Sequence, residues 1–191
     1  MINRIENCIE TSMKNFEKIL NDDALLLIIE QVTSLIIEAF NNDHKVLLCG
    51  NGGSASDAQH IAAELSGRFY IDRRPLYAEA LHVNSSFMTA VANDYGYEET
   101  YARMVEATGR KGDILLGLST SGDSSNVIKA IQKARRIGMK TVGFTGANGG
   151  RMNNSCDIVI HIPSKDTPRI QEAHILIGHI VCQLVEEELF Q

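Results

Sequence analysis

Three short apolar runs, each closed by a turn rich in glycine or hydroxyl residues, constrain the fold of this chain more than any other feature. They span residues 45–49, 113–118 and 140–145, and a helical pattern follows the first two turns directly. A short apolar run that ends at such a turn is typical of a strand buried on both faces. Strands that alternate with helices form a parallel sheet covered by helices on both sides. The pattern therefore predicts an α/β doubly wound fold.

The remaining segments bring the predicted strands to five. A weaker strand candidate lies at residues 77–81 and a last strand at residues 158–162. Two long helices precede the first strand, and a long apolar helix closes the chain. We predict a flavodoxin-like parallel sheet in the order 2-1-3-4-5, in which the first and third strands are neighbours and the turns after both border one crevice. The predicted helices span residues 2–20, 23–41, 54–66, 86–92, 98–108, 125–137 and 168–189.

Length, charge and cysteine spacing exclude several classes of protein. A single core serves chains of up to roughly 200 to 250 residues, so we predict one domain over residues 1–191. Acidic side chains number 24 and basic ones 18, and the net charge of −6 argues against binding to nucleic acid. The four cysteines form no closely spaced pair, the start lacks an apolar signal segment, and residues 175–185 are too short to span a bilayer. We expect a soluble, cytoplasmic protein with free thiols and no membrane contact.

The first turn, residues 50–53, reads Gly-Asn-Gly-Gly and precedes a helix. With Ala55 it satisfies the G-x-G-x-x-G/A pattern of dinucleotide-binding proteins. That pattern also needs an acidic residue about 20 positions on, at the end of the next strand, to hold a ribose. The nearest candidate, Asp72, lies in a predicted turn before that strand, so a dinucleotide site is disfavoured. A tight turn that merely starts a helix is the other alternative.

The turn after the strand at 113–118 points more clearly to a ligand. Residues 119–125 read Ser-Thr-Ser-Gly-Asp-Ser-Ser and again precede a helix. Serine and threonine are common helix N-caps, so one such residue would need no other explanation, but this cluster exceeds what capping requires. The N–H groups and the dipole at a helix N-terminus favour an anion. We predict a small phosphorylated ligand here, because no lysine-bearing Walker loop indicates a nucleoside triphosphate.

Two of the predicted helices carry polar residues that could act on such a ligand. His60 and Glu64 are four residues apart and share one face of the helix after the glycine turn. A solvated helix face is the ordinary explanation of such a pair, but this helix begins at the predicted crevice. The last helix contributes Gln171, His174 and His179. A lone histidine on an apolar helix is more often a core residue than a ligand, and we predict this for His174.

Four segments in combination resemble the sugar isomerase (SIS) domain family over essentially the whole chain. They are residues 50–60 (Gly-Asn-Gly-Gly-Ser-Ala-Ser-Asp-Ala-Gln-His) with Glu64, the pair Asn93 and Asp94, residues 119–122 (Ser-Thr-Ser-Gly), and residues 169–174 (Arg-Ile-Gln-Glu-Ala-His) with His179. The resemblance implies a metal-assisted aldose-ketose isomerase that converts sedoheptulose 7-phosphate to D-glycero-D-manno-heptose 7-phosphate, the entry to ADP-heptose for the lipopolysaccharide core. It also implies one Zn²⁺ per subunit and a homotetramer with active sites between subunits, to which the helices within residues 2–41 contribute.

The resemblance also assigns roles by position. Glu64 is expected to be the base that moves a proton between adjacent carbons, with His179 as its acid/base partner. Asp123 stands where the family's loop usually carries Asn, and a carboxylate beside a phosphate repels it unless it points away. The expected metal ligands are His60, Glu64, Gln171 and His179. The expected substrate contacts are Asn51, Gly52, Gly53, Glu64, Asn93, Asp94, Ser119, Thr120, Ser121, Ser124 and Gln171.

One alternative comes from a different functional class. A non-catalytic SIS domain could bind a sugar phosphate or serve as a protein-interaction scaffold, as the replication-initiator-associating protein does. That relative shares the phosphate loops but lacks the residues that match Glu64 and His179, so these two positions discriminate between the classes.

A second open question concerns how the site is assembled. Gln171 and His179 are eight residues apart, which on one helix is about 12 Å of rise and about 80° of rotation, so binding of one ion by both is strained. Either Gln171 lies at an irregular start of the helix, or the site draws residues from two subunits. We expect the second arrangement, with Glu64 and His179 from different chains.

Overall fold

The computed structural model describes all of residues 1–191 and confirms each predicted strand and helix. The helices are α1 Ile2–Leu20, α2 Asp23–Asn41, α3 Gly53–Ser66, α4 Ser85–Tyr95, α5 Thr100–Thr108, α6 Ser125–Ile137 and α7 Thr167–Phe190. The strands are β1 Val46–Cys49, β2 Ala78–Ala80, β3 Ile114–Leu118, β4 Lys140–Thr145 and β5 Ile158–His161. Short 3-10 helices lie at Tyr97–Glu99 and Gly150–Asn154.

The five strands form one parallel sheet in the order β2-β1-β3-β4-β5, as predicted. The strands β1 and β3 are buried at every position, which explains why they read as continuous apolar runs rather than as alternating patterns. Register pairs Cys49 with Gly117 and Gly117 with Gly143, so the turns that follow β1, β3 and β4 lie side by side at the carboxyl edge. This edge is where ligands bind in doubly wound sheets.

Helices cover the sheet on both faces. The larger core joins one face to α2, α3 and α7, and the smaller core joins the other face to α5 and α6. Since each face is closed by apolar packing, the functional groups are left at the edge of the sheet and between helices. No helix of the chain combines the length and the apolar character that crossing a membrane requires.

A glycine determines how closely α3 and α7 approach. A Cβ atom at Gly178 would lie 2.5 Å from Cδ1 of Ile61, so only glycine allows this contact without a shift. An isolated glycine inside a helix usually has such a packing reason. The faces of α3 and α7 therefore meet at Gly178, the residue that directly precedes His179 in the chain.

Candidate active site

The glycine turn after β1 determines where α3 begins. Gly52 has a φ of +57°, a left-handed conformation that glycine adopts without the strain a side chain would add. The Tyr101 hydroxyl donates a hydrogen bond to the carbonyl of Gly50 and holds the start of the turn. No side chain caps the first turn of α3; the N–H groups of Ser54 and Ala55 donate instead to the carbonyls of Asn51 and Gly52. The positive end of the helix dipole still favours an anion at this turn.

Asn51 joins this turn to the neighbouring one. The Asn51 and Asn126 side chains exchange two hydrogen bonds, each 2.9 Å between the amide nitrogen of one and the amide oxygen of the other. The Tyr97 hydroxyl also donates to Oδ1 of Asn51, at 2.9 Å. Sequence reasoning missed Tyr97 and Asn126, because neither belongs to a spaced motif. Together they orient the Asn51 amide between the turns after β1 and β3.

The hydroxyl-rich loop after β3 concentrates its side chains as predicted. Oγ of Ser119 lies 2.9 Å from Oγ of Ser124 and 3.4 Å from Oγ of Ser121. Ser124 is the N-cap residue of α6, yet its side chain makes no capping hydrogen bond. The capping explanation therefore fails for the residue to which it applies most directly. Thr120 and Ser121 line a cavity of about 300 Å³ beside this loop.

The Asp123 carboxylate is paired with Arg151. Its Oδ1 accepts hydrogen bonds from the backbone N–H and the Nε of Arg151, at 3.0 and 3.2 Å, and the Arg151 guanidinium also donates to its carbonyl. Arg151 belongs to the 3-10 helix after β4. The guanidinium neutralises the carboxylate locally, so the extra acidic residue does not exclude an anion from the loop.

Two imidazoles and a carboxylate converge where α3 packs against α7. Nε2 of His60 lies 2.9 Å from Nε2 of His179 and 3.4 Å from Oε1 of Glu64, and these ligand atoms all lie within 4.8 Å of one another. The Glu64 side chain is 24% exposed, so a ligand can reach it from solvent. A binding module has no need for this arrangement, and it favours an enzyme over the non-catalytic alternative.

All three of these residues belong to one chain. We expected Glu64 and His179 to come from different subunits, whereas Gly178 lets α7 approach α3 so that both residues meet within the same chain. Gln171 lies within the regular part of α7 rather than at an irregular start, and its amide packs against Gly53, where a Cβ would lie 2.5 Å from Nε2. Gln171 thus faces the first turn of α3, while His179 faces the pair His60 and Glu64.

Asn93 and Asp94 lie on the exposed last turn of α4, where Nδ2 of Asn93 donates to Oδ1 of Asp94 at 2.9 Å. No hydrogen bond or ion pair joins them to the serine loop or to His60, Glu64 and His179. Asp94 lies three residues before Tyr97, whose hydroxyl reaches Asn51, so their segment borders the glycine turn.

A buried network behind His179 was not predicted. Glu186 accepts hydrogen bonds from the backbone N–H groups of residues 69–71, at 2.6 to 2.9 Å, and from Nε of Arg73 at 2.9 Å. The Arg73 guanidinium also donates to the Glu64 carbonyl at 2.9 Å. Phe69 begins the segment held in this way, and its ring lies 5.8 Å from the His179 ring. The network fixes the end of α3 and one wall around His179.

Burial shifts the pKa of two groups near the sheet edge. His174 is fully buried, its Nε2 lies 3.3 Å from the Thr145 carbonyl, and burial lowers its pKa to about 4 despite that bond. It is a core residue, as predicted. Burial raises the pKa of Asp57 to about 6, although the nearby His60 opposes the shift. Asp57 stands one turn before His60 on α3 and one of its oxygens is buried without a partner.

Comparison with known proteins shows the family to which the chain belongs. The family model of the SIS domain matches residues 9–146. The phosphoheptose isomerase of Clostridium acetobutylicum is 52% identical over 190 residues, which cover 100% of this chain and 97% of that protein. Two solved structures superimpose along 97% of this chain and 98% of their own chains. They are a phosphoheptose isomerase from Francisella tularensis, with a TM-score of 0.93 and 36% identity, and the phosphoheptose isomerase GmhA from Neisseria gonorrhoeae, with 0.91 and 37%.

The relatives extend over the whole chain, so their similarity includes both the serine loop and the α7 helix that carries His179. A fold alone does not determine an activity, but the curated relative is 52% identical over the whole of this chain. The chain belongs to the SIS domain family and, within it, to the phosphoheptose isomerases, and it is therefore an enzyme that isomerises a heptose phosphate.

Proposed function

We propose that this enzyme converts sedoheptulose 7-phosphate to D-glycero-D-manno-heptose 7-phosphate with the help of a bound zinc ion. The observation that carries the proposal is that His179 of α7 meets His60 and Glu64 of α3. The helix α3 starts at a glycine turn beside a hydroxyl-rich loop. A phosphate group at the loop and a proton-transfer group farther along α3 suit a substrate that is phosphorylated at one end and reacts at the other.

The loop and the turn bind and orient the substrate in this proposal. The phosphate group contacts the hydroxyls of Ser119, Ser121 and Ser124, and the sugar lies along the remaining predicted contacts. Hydrogen bonds to a charged group are each worth roughly 1.5 to 3 kcal/mol, so the loop supplies most of the affinity. The other substrate contacts in the proposal are Asn51, Gly52, Gly53, Asn93, Asp94, Thr120 and Gln171.

Proton movement falls to Glu64 and His179. Isomerisation of a ketose to an aldose removes a proton from the carbon next to the carbonyl and delivers one to the neighbouring carbon, through an enediol. The Glu64 carboxylate takes the first proton and returns it. His179 moves the proton between the two oxygens, and the Phe69 ring holds its imidazole from one side.

The residues present fit a zinc ion. Zinc binds imidazole nitrogen and carboxylate oxygen at about 2.0 to 2.2 Å, which places the ligand atoms of a tetrahedral ion about 3.3 Å apart. The separations of 2.9 and 3.4 Å around Nε2 of His60 are close to that value. His60, Glu64 and His179 would hold the ion. Gln171, the fourth ligand that the resemblance implies, packs instead against Gly53 at the first turn of α3. The chemistry that bound Zn²⁺ supplies is polarisation of a carbonyl and stabilisation of negative charge.

Substrate identity is tested by incubating the purified protein with sedoheptulose 7-phosphate, fructose 6-phosphate and a pentulose phosphate. Aldose product from the seven-carbon sugar alone supports the proposal. Faster turnover of a shorter ketose phosphate would assign the enzyme a different substrate.

Removal of the metal is expected to abolish turnover. Dialysis against a chelator should remove about one zinc per chain, lower the melting temperature, and lower kcat, because a ligand that binds only the folded state stabilises it. Added Zn²⁺ should restore all three quantities, while Mg²⁺, which prefers oxygen ligands, should not. His60→Ala should bind no zinc and show no change in melting temperature on chelation. Full activity in protein stripped of zinc would contradict the metal assignment.

We also propose a cytoplasmic homotetramer that feeds ADP-heptose synthesis for the lipopolysaccharide core. Support for assembly comes from α1, where four apolar residues repeat along one exposed stripe with nothing packed on it. Stripes of this kind are typical of contact surfaces. Each is more than half exposed: Ile2, Ile5, Ile9 and Met13.

Mixing two inactive variants tests whether the site is built within one chain. Glu64→Gln and His179→Ala protein should give no activity together, even after subunit exchange that native mass spectrometry confirms, because each chain lacks one of its own residues. Wild-type protein exchanged with either variant serves as the control and should keep activity in proportion to its intact chains. Recovery of activity in the mixture of variants would show that Glu64 and His179 cooperate across subunits.

A further inference from the structure

The cavity beside the serine loop has a cationic residue that none of the predicted contacts includes. Ten residues line this cavity of about 300 Å³, and Lys165 is the only cation among them. The only anion is Asp123, which is already paired with Arg151. Lys165 is exposed and makes no ion pair of its own.

Backbone hydrogen bonds hold Lys165 next to the loop. The consecutive N–H groups of Gly146 and Ala147 donate to the carbonyls of Thr120 and Ser164, at 3.1 and 2.9 Å. A Cβ at Gly146 would lie 2.9 Å from the Thr120 carbonyl oxygen and 3.0 Å from the Ser164 carbonyl oxygen. The loop that contains Thr120 and the segment that contains Ser164 therefore meet at this glycine. Lys165 follows Ser164 directly and thus stands beside Thr120 and Ser121.

The charges around the loop explain why the position of Lys165 matters. The Ser119, Ser121 and Ser124 hydroxyls and the helix N–H groups are neutral donors, while a phosphate monoester carries close to two negative charges at neutral pH. Arg151 is engaged by Asp123. A lysine on a flexible stem is a point charge that reaches an anion from the rim of a site.

We propose that Lys165 contacts the phosphate group of the substrate and so selects for phosphorylated sugars. The proposal rests on the proposed function only in placing the phosphate at the Ser119–Ser124 loop. It does not depend on sugar length or on the metal, because inorganic phosphate offers the same charge to the same cavity.

The test compares Lys165→Met with Lys165→Arg and with Lys140→Met in the full-length enzyme. Lys140 is also exposed but starts β4, at the opposite edge of the sheet, so its loss changes the net charge equally and far from the cavity. Lys165→Met should raise KM for sedoheptulose 7-phosphate and Ki for inorganic phosphate about 10-fold, with kcat nearly unchanged, and both effects should shrink in high salt. Lys165→Arg should retain near-normal values, and Lys140→Met should match wild type.

A Ser119→Ala, Ser121→Ala double variant separates the possible failures. If it weakens phosphate binding and Lys165→Met does not, the loop holds the phosphate and the assignment of Lys165 is wrong. If neither weakens it, the phosphate lies elsewhere and both the loop assignment and the Lys165 assignment fall. Equal effects of Lys165→Met and Lys140→Met would mean that net charge, not contact, is responsible, and would also overturn the proposal.

Discussion

Glu64→Gln should lower kcat by about 10² to 10⁴-fold, because the amide cannot accept the proton that the carboxylate removes from carbon. The Kd for sedoheptulose 7-phosphate should change little, since the amide keeps the shape of the side chain and one oxygen acceptor. Glu30→Gln, an exposed change on α2, is the matched control and should leave kcat unchanged.

Zinc content must be measured in the same samples. Loss of turnover with zinc retained identifies Glu64 as the base. Loss of both would show that Glu64 acts mainly as a ligand, and near-normal kcat would remove it from proton transfer altogether.

Glu186→Gln should destabilise the protein by about 3 to 5 kcal/mol, because it leaves the buried Arg73 guanidinium without its partner. Both side chains of this ion pair are only 2% exposed. The amide NH₂ would also face the N–H groups of residues 69–71, which need an acceptor. For a chain of this length such a loss lowers Tm by roughly 10 °C. Glu188→Gln, two residues on and exposed, removes the same charge and should leave Tm nearly unchanged.

The difference in unfolding free energy between wild type and Glu186→Gln should depend on pH in a definite direction. Burial alone raises the pKa of Glu186, but the N–H groups of residues 69–71 and Arg73 outweigh it and hold the pKa below its ordinary value. The stability that ionised Glu186 contributes is therefore fully present above its unfolded-state pKa of about 4.3. This contribution is lost as the pH falls through the lower pKa that Glu186 has in the folded state. Denaturant unfolding at pH 7 and at pH 3 measures it. A gap between wild type and Glu186→Gln that is the same at both pH values would contradict the assignment.

The sequence allows prediction of what is local. Apolar runs followed by glycine or serine turns locate β1 and β3, and the parallel sheet then requires both turns to share one edge. The four-residue spacing of His60 and Glu64 is equally local, since one helix fixes it. These features follow from periodicity and from turn chemistry, and the structure agrees with them.

The packing of helices that are distant in the chain could not be predicted from the sequence. His179 reaches His60 because Gly178, which has no side chain, packs directly against Ile61. Gly178 and Ile61 are 117 positions apart in the chain. The one sequence signal for this contact is Gly178 itself, a glycine inside an apolar helix. The Arg73 and Glu186 network is harder to anticipate, because Arg73 lies in an irregular segment where no periodicity identifies a buried partner.

The pairing of Asp123 with Arg151 has a consequence for how this loop can change in evolution. Loss of Arg151 alone frees a carboxylate beside the phosphate position, whereas Asp123→Asn alone removes that charge and leaves an unpaired arginine near an anion, which is harmless. We therefore expect a change from the acidic to the amide form of the loop to be tolerated only if the arginine is gained before the aspartate and lost after it. The two positions, 28 residues apart in the chain, act as one electrostatic unit.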